Sequence, residues 1–270
     1  MEKQKEHKVI YELDDFEHYC HLWNIVPGGS KGLGIVQLRK IVDSIQANSY
    51  SRPGSKMPSI LITGEGKMLA VKAFVNSLSV RDVRVCSSKY IDNGINSSLF
   101  FENSTSNTAH IIRDIERLTT NAESILWRNL AQRECNYYNF TSKNWDTILH
   151  CNGLIIMTAR KASLISEQIL TEIDYAVKLE PLTPDQQCLV VHQQLKFCGI
   201  CYEGKEQVLQ AIVDAGVGQI RIIMRFLRTC IMLMRAEMEE CMTMAIVKKA
   251  DRLFSMSVSP PSKKTDDIPF

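Results

Sequence analysis

Two apolar periods alternate along the first two thirds of the chain. Ser59-Ile-Leu-Ile-Thr63 is a short run dominated by branched aliphatic residues, the profile of a strand buried on both faces. Leu69, Ala70, Ala73, Phe74 and Leu78 then recur at helical spacing, so a helix with one apolar stripe is expected to follow. The alternation continues. Strands are expected over Asp82–Ser87, Ala109–Ile112, Gly153–Thr158 and Tyr175–Leu179, and helices over Asn93–Leu99 and Thr119–Ala131. A helix over Val36–Ala47, with Val36, Leu38, Ile41, Val42 and Ile45 on one face, precedes the first strand. Strands separated by helices imply a parallel sheet with helices on both faces.

Pro181 and Pro184 break this pattern. Beyond them the periodicity is helical only, over Pro184–Phe197, Lys205–Ala215, Gln219–Met238 and Cys241–Leu253. The expected organisation is an α/β core over residues 9–181 and a helical domain over 182–256. Residues 1–8 and 257–270 carry charge and proline without an apolar pattern and are expected to be disordered.

Composition changes this picture little. Hydrophobic residues at 45% and charged ones at 23% are ordinary for a globular chain, and a net charge of +2 exerts no global pull toward nucleic acid. The most apolar stretch, Ile220–Met234, is interrupted by Arg221, Arg225 and Arg228, which argues against a membrane span. The start, MEKQKEHK, leads into polar sequence, so no signal peptide is expected. Nine cysteines, an odd number spread over helices and strands, suggest reduced thiols and a cytoplasmic location rather than a disulfide framework. Cys198-Gly-Ile-Cys201 is a lone C-x-x-C with no second pair, so no metal site is expected.

Candidate chemistry sits between the first strand and its helix. Gly64-Glu65-Gly66-Lys67 has the layout of a phosphate-binding loop, whose backbone N–H groups at a helix N-terminus hold phosphate. Its spacing is altered: a single residue separates the two glycines where the working motif has four before its Gly-Lys-Ser/Thr. Met68 stands where a hydroxyl should ligate magnesium, and a thioether has little affinity for that hard cation. Glu65 places a carboxylate where phosphate oxygens belong. A second glycine-rich run, Gly28–Gly34, has no strand before it and reads as a flexible turn.

Taken in order, further segments resemble the AAA+ P-loop ATPases, most of all the ATPase core of RuvB-type branch-migration motors. Leu13-Asp-Asp-Phe16 resembles the motif near the adenine pocket, and Ile60–Leu78 the Walker A strand and helix. His110–Leu118 resembles the Walker B strand, Leu154–Arg160 with Leu164-Ile-Ser166 the sensor 1 strand, and Asp214–Arg221 the sensor 2 turn. The resemblance covers about residues 10–255. It implies an α/β fold of P-loop NTPase type: a three-layer α/β/α sandwich with a parallel sheet, then a small all-α AAA+ lid domain. It further implies ATP or ADP as ligand with magnesium, protein partners through AAA+-type subunit interfaces in a homo- or hetero-oligomer, DNA reached indirectly in recombination, repair or replication, and no membrane.

Carried over residue by residue, the resemblance makes Gly64, Gly66, Lys67, Met68, Thr158 and Arg221 the nucleotide-binding candidates and Asp114 the catalytic one. Such a site needs a phosphate cradle, a metal-holding carboxylate, a water-orienting carboxylate, a polar sensor and an arginine from a neighbour. In the best register Arg113 takes the place of the metal-organising Asp and Asp114 that of the water-orienting Glu. A slip by one residue makes Asp114 the Asp and puts Ile115 at the Glu position, so one carboxylate is missing either way. Ala159 stands at the sensor 1 position, with Thr158 one residue early, and Leu170 and Glu172 replace the two arginines of the trans-acting loop. Arg221 follows Gly218 as the sensor 2 pattern requires. The expected function is therefore that of a non-hydrolysing AAA+-like subunit or interaction module. The alternative is an active ATP-dependent DNA motor with an atypical P-loop.

Overall fold

The structure, a computed structural model, describes residues 22, 25–29, 32–51, 57–78, 80–92, 94–102, 104–139 and 144–258, with the backbone alone at 48–51, 134–139, 144–150, 205 and 256–258. The Leu13–Phe16 motif, the expected disordered start over 1–8 and all but the first two residues of the expected disordered tail over 257–270 lie outside the described residues; residues 257 and 258 close the last helix. The chain divides into two compact units, residues 1–181 and 182–270.

In the first unit, α1 (Leu33–Ser51) leads to β1 (Ser59–Gly64) and α2 (Lys67–Ser77). Next come β2 (Asp82–Ser87), α3 (Ser88–Ile91), α4 (Gly94–Phe101), β3 (Thr108–Arg113) and α5 (Thr120–Ala131). A hairpin of β4 (Glu134–Asn139) and β5 (Asn144–His150) precedes β6 (Leu154–Ala159), α6 (Glu167–Leu170) and β7 (Tyr175–Leu179). Five strands make one parallel sheet in the order β2-β3-β6-β1-β7.

Alternation of side chains across the central strands builds two cores. Ile60, Ile62, Ala109, Ile111, Leu154 and Ile156 face α1 and α2, whose Leu38, Val42, Val71 and Phe74 complete one layer. Leu61, Ile112, Ile155 and Met157 face the other way, against Phe100, Phe101, Ala122 and Leu126 from α4 and α5. Both faces of β1 and β6 are therefore covered, which is why their sequences read as unbroken apolar runs. At the edge, β7 alternates instead, with Val177 and Leu179 buried and its other residues exposed. Thr119 caps α5 by accepting the Ala122 N–H at 3.3 Å.

The hairpin β4–β5 was not expected. Its strands ECNYYN and NWDTILH carry no clean apolar alternation, and a register irregularity at Asn136/Tyr137 breaks the period further. The Gly28–Gly34 run also differs from the flexible turn expected. Gly29 N–H donates to the Pro181 carbonyl at 3.0 Å, and a Cβ on Gly28 would fall 2.0 Å from the Glu180 carbonyl oxygen, so this backbone lies directly along the end of β7.

The second unit contains α7 (Pro184–Phe197), β8 (Cys201–Tyr202), α8 (Lys205–Ala215), α9 (Ile220–Ala236), β9 (Cys241–Met242) and α10 (Met244–Val258). Thr183 and Gln186 form a reciprocal capping box at the start of α7. Val191, Leu195, Val208, Ile212, Phe226, Leu227 and Ile246 close a core of its own. Two expectations are corrected here. The helix expected from Cys241 begins at Met244, because Cys241 and Met242 pair in parallel with Cys201 and Tyr202. The expected free thiols at Cys201 and Cys241 are joined in a disulfide, which a fold can assemble from cysteines 40 residues apart and a spacing argument cannot see. Cys198, the other half of the C-x-x-C, is free.

Candidate functional site

Parallel α/β sheets bind ligands outside the carboxyl ends of their strands, where strand order reverses. Here β1 lies between β6 and β7 and is separated from β2, which follows it in sequence, by β6 and β3. The candidates Gly64, Gly66, Lys67, Met68, Asp114 and Thr158 all fall at the carboxyl ends of β1, β3 and β6. Arg221 belongs to the second unit.

Only Glu65 and Gly66 separate the last residue of β1 from the first of α2. Gly64 ends the strand at φ 101°, and a Cβ there would lie 2.2 Å from the Leu179 carbonyl oxygen, so only glycine fits against β7. Gly66 starts the helix at φ 73° with nothing within 4 Å of a would-be Cβ. Two residues span about 7 Å at full stretch, too little to curl around a chain of phosphates. What remains is the helix end itself. The first turn of α2 holds no acidic residue and receives no side-chain cap, so the N–H groups of Lys67, Met68 and Leu69 are available to an anion. Lys67 is partly exposed beside them.

Met68 has a different employment from its neighbours. Its side chain packs against the core layer formed by α1, α2 and β1. The position that would supply a metal-binding hydroxyl is thus an apolar contact, and the polar candidates around it are few.

Asp114 and Thr158 meet through the backbone. Asp114 takes a left-handed conformation (φ 56°, ψ 50°) at the exit of β3, and its N–H donates to Thr158 Oγ1 at 3.3 Å. Thr158 is fully buried, so this hydroxyl secures the turn after β3. Sequence reasoning missed the carboxylate that follows. Glu116, in the one-turn 3-10 helix Ile115–Arg117, has a side chain only 4% exposed, paired with the exposed Arg160 at 3.1 Å and accepting the Arg160 N–H at 3.4 Å. Its second oxygen, Oε2, is buried with no hydrogen-bond partner among the described residues. No motif register pointed to Glu116. Its burial comes from the 3-10 turn folding back beside β6.

These residues fit a phosphate or another small anion at the start of α2, held by three amides and Lys67. They do not fit magnesium. The hydroxyl position is apolar, Glu116 is engaged by Arg160, and no group of three His, Cys, Asp or Glu residues suited to a metal occurs among the described residues.

In the second unit, Arg221 lies exposed in the first turn of α9, after a turn with Val217 at φ 48° and Gly218 at φ 73°. The same exposed side of α9 carries Arg225, Arg228 and Arg235, and the helix contains no acidic residue. No described helix is long and apolar enough to cross a membrane.

No protein-family model and no curated protein matches the chain. Solved structures do match. Thermotoga maritima RuvB, described as a Holliday junction branch migration motor, aligns with a TM-score of 0.65 at 15% identity, covering 84% of this chain and 72% of that one. A point mutant of that protein aligns with a TM-score of 0.70 at 13% identity, over 88% of this chain and 72% of that one. A second mutant gives 0.68 at 13% identity, over 84% and 70%. At such low identity the likeness establishes the fold alone: an α/β core like that of the RuvB structures, with a parallel five-stranded sheet and a helical C-terminal region.

Proposed function

We propose that this chain is a non-hydrolysing AAA+-fold subunit, an interaction module in a homo- or hetero-oligomer whose partners supply any nucleotide turnover. The observation that carries this reading is the two-residue turn between β1 and α2, with the partly buried Met68 packed against the core behind it. Phosphoryl transfer is almost wholly positioning and charge stabilisation, so losing the cradle, the metal ligand and the trans arginine together leaves little to accelerate it. Lys67 and the amides of α2 would still hold one phosphate group of ATP or ADP, weakly and without magnesium.

The test is twofold. Purified protein is expected to release no phosphate from ATP above background, with or without magnesium. Calorimetric titration is expected to show weak nucleotide binding that magnesium does not strengthen and that Lys67→Ala abolishes. Turnover at ordinary motor rates of about 1–100 per second would overturn the reading.

The second reading is an active DNA motor with a rebuilt phosphate loop. Its support is the exposed arginine row on α9 and the fold shared with a branch migration motor. Tight, magnesium-dependent ATP binding would favour it.

A further inference from the structure

The disulfide in the second unit has a consequence beyond holding two strands together. Cys201 and Cys241, with Cα atoms 4.9 Å apart, close a loop across a sequence separation of 40 that contains all of α8 and α9, and so Arg221. Beside this link, the two connections pair in a two-residue parallel ladder, extended by the Glu203 N–H donating to the Met242 carbonyl at 3.1 Å. Parallel pairing this short contributes little by itself, so the covalent bond is the main direct tie between the two connections, added to the core packing of α8 and α9.

Both redox forms are provided for. Cys201 is exposed, which opens its sulfur to attack by a reductant. Its Sγ also lies 3.3 Å from the Glu240 carbonyl oxygen, an acceptor for the thiol hydrogen once the bond is broken. Met242 is fully buried and Tyr202 meets His192 Nδ1 at 2.5 Å, so β8 and β9 keep anchors on the core in either form. The weak point of the enclosed segment is the turn before α9. Val217 is a non-glycine residue in left-handed backbone and 79% exposed, and the N-cap Gln219 makes no side-chain capping bond. Gln187 Nε2, donating to the Gly218 carbonyl at 3.0 Å, secures it.

We propose that Cys201–Cys241 is a reversible redox staple that controls the order of the α8–α9 segment and the positioning of Arg221. A dithiol reductant delivers two electrons and two protons to the S–S bond. The products are two cysteine thiols and the reductant's own cyclic disulfide. Oxidation reverses this and restores the loop. Across a loop of this length, the chain-entropy model gives a loss on the order of several hundred-fold in the folded-to-unfolded ratio of the unit on reduction. The staple stands on its own geometry and does not depend on the phosphate end of the first unit.

The experiment uses the full chain, oxidised with oxidised glutathione or reduced with dithiothreitol. Peptide mapping after alkylation should find Cys201 joined to Cys241 in the oxidised sample, with Cys198 alkylated. Limited trypsin digestion, read by the fragments ending at Arg221 and Arg225, should run at least tenfold faster after reduction and return to its first rate on reoxidation. A Cys201→Ser, Cys241→Ser variant should be cut at the reduced rate whatever the reductant, and Cys198→Ser should respond like the parent chain. Should the double variant fail to fold, amide exchange over residues 216–221 in the parent chain, with and without reductant, makes the same comparison. Equal cleavage and exchange in both states, or two alkylated thiols after oxidation, would overturn the proposal.

Discussion

His110 shows what burial does to a single side chain in this fold. It points from β3 into the layer of Phe100 and Phe101, fully buried, with Nε2 2.8 Å from Ser104 Oγ. Burial, helped by the positive charges of Arg84 and Arg133, pushes its pKa down to about 3. The folded value lies below the unfolded value of about 6.5, so between those limits the unfolded chain binds more protons than the folded one. The stability that the neutral ring confers is complete above pH 6.5 and drains away as pH falls toward 3. Denaturant titrations from pH 7 to pH 4 should therefore show falling stability. His110→Gln should flatten that slope, at a cost of about 1–2 kcal/mol at pH 7 for the altered contacts. An unchanged slope in the variant would assign the acid sensitivity elsewhere. Ser104 also accepts the Gly153 N–H at 3.0 Å, so the His110–Ser104 pair belongs to the framework that starts β6, and not to a catalytic dyad.

Among elements, the turn from β1 to α2 decides most. Gly64 and Gly66 look alike in sequence, yet their surroundings differ. Gly64 presses on the Leu179 carbonyl, whereas Gly66 faces open space. Gly64→Ala should destabilise the chain by about 2–4 kcal/mol, because a left-handed backbone and a collision with main chain coincide. Gly66→Ala should cost about 1 kcal/mol, the left-handed penalty alone. Chemical unfolding of the two variants checks the contrast, and equal losses would mean that β7 gives way. The hairpin β4–β5 teaches a related lesson. Polar strands with an irregular register leave no periodic trace, so only their pairing reveals them.

At the scale of the whole molecule, the two units each close a core of their own, and the turn from β1 to α2 belongs to the first alone. A point substitution cannot rebuild a cradle that is short by several residues. Met68→Thr, which restores the motif's hydroxyl, should therefore yield no magnesium-dependent ATP hydrolysis and should lose about 1 kcal/mol of stability through its lost core contacts. Measured turnover in that variant would show that the hydroxyl alone was limiting, and the second reading of the function would gain. The arginine row on α9 remains relevant to any assembly, since four exposed cations without an acid on the same helix suit an anionic surface.

How much of this was legible beforehand follows from the range of the forces involved. The sequence by itself determined the alternation of buried strands with amphipathic helices, and with it the parallel sheet covered on both faces, because side-chain periodicity is a local property. It also placed Lys67 at a helix start and Met68 beside it, since a strand, a glycine turn and a helix are contiguous. Only the tertiary structure decided that Met68 packs inward, that Arg160 closes on a buried Glu116, that Thr158 holds the Asp114 turn, and that Cys201 pairs with Cys241 rather than with Cys198. Each of those joins residues far apart in the chain, or depends on which face of an element meets a distant neighbour. Nothing in local spacing encodes such a meeting until loop closure and core packing have brought the segments together.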